Sequence, residues 1–199
     1  MRALKSILAI IGAIAITLAA VGYVKYKQFM SELDPEAGRV FSEMYEKFEP
    51  SKDWANAMMW SFPVAKGISP EEVKRSLNSL AYERNLFFAG EAPFHKQAEA
   101  ATGKPYRYTN FMSFCDVRVG MMMIDYNDKY SAYMPCRIAI VEDKSGQVWL
   151  HSMNLDLMIY GGKPLPPEMK EQALKVRNTL YGIMKAAADV ELKGILGYN

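Results

Sequence analysis

Residues 133–154 read YMPCRIAIVEDKSGQVWLHSMN, and this stretch decides the fold class. Apolar and polar side chains alternate over 136–142 and again over 147–153, which is typical of β-strands. The four residues between them, DKSG, favour a tight turn. We therefore predict a β-hairpin with a cysteine, Cys136, at its entrance and a histidine, His151, on its second strand.

The segments around this hairpin alternate between strand and helix signals. A well-marked helix begins where Ser69 caps it and Pro70 occupies its first turn. Because strands and helices are mixed around a hairpin, we predict an α+β fold, a compact antiparallel or mixed sheet with packed helices. The other predicted elements are strands at 60–65, 86–91 and 106–114 and helices at 92–103, 116–127 and 167–188.

The first 27 residues have a different composition from the rest. Between Lys5 and Lys25 lie 19 residues without a charge. As a helix they span about 28 Å, close to the hydrocarbon thickness of a bilayer. We predict that residues 1–27 form one N-terminal transmembrane helix. Its flanks carry the cationic and amphipathic side chains typical of a membrane interface: Arg2, Lys5, Tyr23, Lys25, Tyr26 and Lys27.

Two other interpretations of this segment are a cleaved signal peptide and a buried core helix. A signal peptide has a shorter apolar core and a clear cleavage site, which the sequence TLAAVG matches poorly. A retained anchor is favoured over a core helix because no polar residue interrupts any face. The positive charges of Arg2 and Lys5 favour a cytoplasmic amino end. In a bacterium this predicts a single-pass inner-membrane protein with its domain in the periplasm, where disulfides are permitted.

The anchor is followed by a predicted helical connector, residues 28–59, and by a domain, residues 60–199. In the connector, Asp34 and Pro35 are the N-cap and first residue expected of a helix. Apolar residues then recur at helical spacing, which predicts that the connector packs against the domain.

Two short motifs, FCD at 114–116 and MPCR at 134–137, resemble the DUF302 domain family. In that family a strand ends in a cysteine, a helix follows, and a Leu-Pro-Cys-Arg-like stretch opens the next strand. The resemblance covers about residues 68–158. Cys115 and Cys136 match the two cysteines, whereas Asp-Val stands where the family commonly has Asn-Pro. The resemblance implies a compact α+β fold and no established reaction.

Cys115 and Cys136 are the candidate catalytic residues. Cys115 lies between a strand and a helix, where the helix N-terminus favours a thiolate. If the strands of the two cysteines are neighbours, the sulfurs can approach each other. Three interpretations stay open: a functional pair for redox, sulfur transfer or metal binding, a structural disulfide, and two small buried apolar side chains.

Metal binding is a second candidate chemistry. With two cysteines and two histidines, the chain lacks the ligands of an ordinary structural zinc site. Thiolate and thioether ligands together suit Cu(I), and haem iron is a related alternative. For His151, on the same face as Trp149, we favour a buried neutral histidine bonded to the backbone, and coordination of a metal with Cys136 and Met153 is the alternative. The candidate ligands are Cys115, Cys136, His151, Met153 and Met134, with Met112 as a further thioether.

Composition and missing motifs exclude several functions. A net charge of +2 without a basic stripe argues against nucleic-acid binding. Nucleotide-binding loops and the common hydrolase motifs are missing from the sequence, so we lean against an enzyme.

These observations favour a membrane-anchored extracytoplasmic binding or accessory protein, a subunit or partner of a membrane redox or sulfur-metabolism complex. The alternatives are a thiol-dependent redox enzyme or sulfur carrier that uses Cys115 and Cys136, a soft-metal protein that binds copper or haem, and a structural subunit.

Overall fold

A computed structural model describes the backbone of residues 2–189 and the side chains of residues 5–189. Its described part contains a five-stranded antiparallel sheet with packed helices, which confirms the predicted α+β class. The strand order is β1-β5-β4-β3-β2. The strands are β1 (Met59–Pro63), β2 (Phe87–Ala92), β3 (Thr109–Cys115), β4 (Cys136–Glu142) and β5 (Val148–Met153).

The helices follow the predicted order, with two short additions. The predicted hairpin is present as β4 and β5, and the predicted helix 167–188 has the bounds expected of it. A 3₁₀ turn and α7 were not predicted. The helices are α1 (Arg2–Ser31), α2 (Ala37–Ser51), α3 (Trp54–Met58), α4 (Pro70–Glu83), α5 (Phe94–Thr102), α6 (Val117–Tyr126), the 3₁₀ helix Asp128–Tyr133, α7 (Asp156–Tyr160) and α8 (Pro167–Ala188).

One face of the sheet forms the core. Helices α4 and α8 pack against this face, and α6 packs against α8. On β5 the side chains of Leu150 and Ser152 are buried there. Trp149 and His151 alternate with them and share the opposite face, where both are half-buried. The prediction of a buried histidine at position 151 is therefore wrong. The indole of Trp149 donates a hydrogen bond to the turn residue Asp143 at 2.9 Å, which holds the ring outside the core.

Local capping explains where two helices begin. Ser69 and Glu72 form a reciprocal capping box at α4, as the sequence predicts. The predicted cap at Asp34 is wrong, because α2 begins at Ala37 with Glu36 as its N-cap. The carboxylate of Asp34 instead forms an ion pair with Lys170 on α8.

The N-terminal helix stands apart from the core. Residues Lys5–Ser31 form the one helix of the described range that is long and apolar enough to cross a membrane, with a mean hydropathy of 2.5 and none of the apolar window buried. A signal sequence would share these properties. The helix continues past residue 27, where the predicted anchor ends.

Candidate functional site

The sheet brings the two cysteines together. Strand β3 ends at Cys115 and its neighbour β4 begins at Cys136, which lies directly opposite Phe114. Both cysteines are free and partly buried. They line the same cavity, of about 30 Å³, which lies between the start of β4 and helices α6, α7 and α8. We call it the sulfur cavity.

Five of the side chains that line the sulfur cavity carry sulfur. The rest of the lining is mainly aliphatic, and Asp116 is its one charged residue. The carboxylate of Asp116 is already engaged, since it accepts the backbone N–H groups of Arg118 and Val119 at the start of α6. The sulfur-bearing residues are Cys115, Met123, Met134, Cys136 and Met158.

Gly120 opens space between two of these sulfurs. The Cβ atom of any other residue at this position would lie 3.2 Å from Met134 Sδ and 3.6 Å from Cys115 Sγ. The two sulfurs are therefore neighbours over the bare backbone of α6. A residue with a Cβ would crowd the thioether, so glycine here keeps the sulfurs accessible to each other and to the cavity.

Both thiols favour their protonated form. Burial, and to a smaller extent the neighbouring Cys115, raise the pKa of Cys136 to about 11. Burial and the charge of Asp116 also raise the pKa of Cys115. This direction is the opposite of the predicted thiolate, because burial disfavours the charged form of the thiol and the carboxylate of Asp116 repels it.

The size and ligand set of the cavity restrict what it can hold. A space of about 30 Å³ accommodates a single water-sized species, such as one metal ion, and is far too small for a porphyrin. Within the part of the chain that the structure describes, no group of three or more His, Cys, Asp or Glu side chains could hold a metal ion. The available donors are therefore thiols and thioethers.

The remaining predicted ligands lie elsewhere. His151 is on the opposite face of the sheet, where its Nδ1 lies 2.9 Å from Ser61 Oγ and its ring stacks on Trp149. Burial lowers the pKa of His151. Met112 is fully buried in the core. The structure thus brings together Cys115, Cys136 and Met134 and separates His151 from them.

Met153 lines a second, neighbouring groove of about 70 Å³. This groove lies between α2, α3 and α7, and Tyr133 and Met158 contribute to both spaces. The sequence did not predict Met158 as a lining residue, because α7 has no strong helix signal. It also missed Met123 and Gly120, although their three-residue spacing places them on one face of α6.

Comparisons with known proteins agree with this architecture. The family described as "Domain of unknown function DUF302" matches residues 60–187. A crystal structure of an uncharacterized conserved DUF302 protein from Bacillus stearothermophilus is 10% identical, with a TM-score of 0.54. The similarity covers 66% of this chain and 98% of that chain. No curated protein matches the chain.

The family match extends past residues 68–158 at both ends. It takes in β1 and α8, and α8 packs on the core face of the sheet. The long helix therefore belongs to the fold, whereas the sequence resemblance alone had left the region after residue 160 outside the common core.

Proposed function

The chain belongs to the DUF302 family, and from that premise we propose that it is a membrane-anchored protein whose domain binds a soft metal ion, Cu(I), in the sulfur cavity. The observation that carries the proposal is the position of Met134 Sδ and Cys115 Sγ, 3.2 and 3.6 Å from one point above Gly120. Cys136 lines the same small space. Thiolate and thioether donors are the ligands that Cu(I) prefers.

Charge balance supports a monovalent ion. One thiolate and neutral thioethers around Cu(I) make a neutral complex, which an apolar cavity can hold without a counter-ion. Binding then follows a simple exchange, in which the thiol of Cys115 loses its proton to solvent as its sulfur bonds to the metal. The raised thiol pKa values mean that this proton is still bound at neutral pH. Affinity should therefore rise about tenfold per pH unit.

Membrane anchoring is supported by α1. Its residues Lys5–Ser31 are long and apolar enough to cross a bilayer. We propose that the helix is retained and that residues 28–59 connect it to a domain that starts near residue 60. The charges of Arg2 and Lys5 favour a cytoplasmic amino end, which places the domain on the periplasmic side of the inner membrane. A tethered metal-binding domain would serve a partner in the same membrane.

A thiol-based redox role is the second candidate. Its support is that both cysteines line one cavity and that Cys115 contributes to the raised pKa of Cys136. The pKa directions oppose it, since a reactive cysteine needs a lowered pKa. No histidine lines the cavity to act as a base. Metal binding does not need a free thiolate beforehand, so it fits these thiols better.

Competition with a chromophoric Cu(I) chelator tests metal binding. The full chain, purified in a non-ionic detergent under anaerobic conditions, should take up one equivalent of Cu(I). We expect Cys115→Ser, which removes the thiolate, to weaken binding by about 100-fold, and Cys136→Ser and Met134→Leu, which remove neutral donors, by about tenfold each. A cooperative thermal unfolding transition, as in the wild type, would show that the variants fold.

Met121 provides the matched control. It lies on α6 like Gly120, its side chain is 61% exposed, and it does not line the cavity. Met121→Leu should bind Cu(I) with unchanged affinity. Wild-type affinity in Cys115→Ser, or equal losses in Met134→Leu and Met121→Leu, would overturn the proposal. Resistance of the protein to alkaline carbonate extraction from membranes tests the anchor independently.

A further inference from the structure

An aromatic stripe on the connector faces solvent. Phe41, Tyr45 and Phe48 recur at i, i+4 and i+7, so they lie on one face of α2. Tyr45 is 63% exposed, and Phe41 is 37% exposed. Trp54 extends the stripe onto α3, since its ring stacks on Phe48 at 4.2 Å and is 54% exposed. Large aromatic side chains exposed together indicate an interaction surface.

The link that joins α1 to the stripe is bonded to the domain. The backbone N–H of Asp34 donates to the carbonyl of Gly162 at 2.9 Å. The buried carboxylate of Asp34 forms an ion pair with Lys170, and it also accepts the N–H of Glu36 at 3.0 Å. The short link between α1 and α2 is thus bonded to the domain and is not a free tether.

Helix length places the stripe close to the bilayer. The uncharged part of α1 ends at Val24, and the helix continues to Ser31. Seven residues add about 10 Å along the axis, and a headgroup layer is about 5–8 Å thick. Helix α2 begins six residues after Ser31. The end of α1 itself exposes aromatic rings, Tyr26 and Phe29, each 60% exposed.

We propose that the aromatic stripe inserts among the lipid headgroups, so that α2 and α3 dock the domain on the membrane surface. This rests on the proposed membrane anchoring. Tyr and Trp favour this layer, because their rings are apolar and their O–H or N–H groups can remain hydrated. The charged residues of α2 are three glutamates and two basic residues, which fits zwitterionic lipids and not an anionic surface.

The stripe also has a consequence for the metal site. Helix α2 lines the second groove through Met44 and Val40, on the side next to the stripe. That groove shares Tyr133 and Met158 with the sulfur cavity. Docking therefore places both spaces beside the bilayer, where an integral membrane partner can reach them.

Tryptophan quenching by brominated lipid tests the docking. The full chain is reconstituted into phosphatidylcholine vesicles with and without bromine on the acyl chains. Trp60 and Trp149 remain as a constant background, so comparison with Trp54→Phe isolates the emission of Trp54. We expect bromine to reduce that emission at least about twofold, with no change between low and high salt.

Tyr82 on α4, 86% exposed, provides the control position. In a Trp54→Phe background, Tyr82→Trp should show no quenching by the brominated lipid. Phe41→Ser with Tyr45→Ser should abolish the quenching of Trp54.

Vesicle flotation and carbonate extraction of the same samples separate the two proposals. A chain that floats and resists extraction but leaves Trp54 unquenched overturns the docking and retains the anchor. A chain that does not float overturns both. Equal quenching at positions 54 and 82 overturns the proposal that the aromatic stripe is the surface that faces the bilayer. Loss of accessibility of Trp54 to an aqueous quencher without bromine quenching would assign the stripe to a protein partner and overturn the docking.

Discussion

Strand β3 begins in a polar environment and ends in a sulfur-rich one. At its beginning the buried amide of Asn110 donates to Glu91 at 2.8 Å, and Lys74 bridges Glu91 and Glu71 at 3.0 and 3.3 Å. At its end Cys115 lines a cavity of thiols and thioethers. We call the first group the polar ring; its members are Glu71, Lys74, Glu91, Tyr108 and Asn110.

The difference separates a structural site from a binding site. In the polar ring each charged group already has a partner of opposite charge or a hydrogen-bond donor, so little capacity remains for a ligand. In the sulfur cavity the thiols and thioethers have no comparable partners among the residues that the structure describes, and their donor electrons are available to a soft ion. We therefore expect variants of the ring to change stability and variants of the cavity to change binding.

Asn110→Asp should have the largest effect on stability. It places a second carboxylate next to Glu91 in a site where residue 110 is 1% exposed. A buried, unpaired charge costs about 3–5 kcal/mol. We expect a loss of this size in urea unfolding of the detergent-solubilised chain at pH 7, smaller at pH 5, where one carboxyl takes up a proton.

Asn110→Leu is the matched control for that charge. The amide oxygen of Asn110 has no hydrogen-bond partner among the described residues. Removing this unpaired buried oxygen offsets part of the free energy lost with the hydrogen bond to Glu91. We therefore expect Asn110→Leu to lower the free energy of unfolding by about 1 kcal/mol. Equal losses in the two variants would mean that shape, and not charge, governs the polar ring. Cu(I) affinity should be unchanged in both.

Alkaline pH should destabilise the sulfur cavity. The pKa of Cys136 is raised from 9.0 to about 11, so the folded state favours the neutral thiol. The free energy that this buried neutral thiol contributes to folding is present in full below pH 9. It is lost as the pH rises towards 11, which lowers the free energy of unfolding by about 3 kcal/mol. Unfolding free energies of the metal-free protein, measured from pH 8 to 11, should show this fall.

Cys136→Ala removes the titrating thiol and should reduce the slope between pH 9 and 11. Part of the slope should remain, because burial and Glu71 also raise the pKa of Tyr108 in the polar ring. Identical pH profiles for wild type and Cys136→Ala would show that this thiol does not control alkaline stability. Cys115 also contributes to the remaining slope, because burial raises its pKa as well. The difference between the two profiles therefore isolates the contribution of Cys136.

Lys74→Met should cost less, about 1 kcal/mol. The substitution keeps an unbranched apolar stem and removes the ion pairs with Glu71 and Glu91. Lys74 has a side chain that is 26% exposed, so solvent screening limits the effect. Lys175→Met is the control, since its pair with Glu171 is more than half exposed and should contribute almost nothing. Equal losses of stability in Lys74→Met and Lys175→Met would show that burial does not strengthen the ion pairs of the polar ring.

The sequence predicts the fold better than it predicts the site. The starts of two helices depend on local caps, Ser69 for α4 and Asp116 for α6, and the hairpin strands follow from the alternation of their own side chains. The structure confirms these elements. The pairing of Phe114 with Cys136 depends on a long-range register that spacing alone does not give. The predicted direction of the Cys115 pKa is wrong, because the fold partly buries the thiol and the same Asp116 that caps α6 also repels a thiolate. His151 was misplaced because Trp149 packs at the turn, outside the core.

Gly120→Ala should have the smallest effect on stability and still weaken the proposed metal binding. Alanine favours a helix by about 1 kcal/mol over glycine, which offsets the crowding of Met134 Sδ at 3.2 Å. We expect unfolding free energies within about 1 kcal/mol of wild type. Cu(I) affinity should fall at least about tenfold, because the added methyl group contacts both Met134 Sδ and Cys115 Sγ.

Gly38→Ala on α2 is the control, because a Cβ there meets only Met30 at an ordinary 3.7 Å. It should gain the same helix propensity and leave binding unchanged. A Gly120→Ala protein that binds Cu(I) like wild type would mean that the sulfurs do not act where the structure places them. Since this substitution alters no ligand, a loss of affinity in a stable protein would attribute binding to the geometry of the cavity and not to the mere presence of cysteine and methionine.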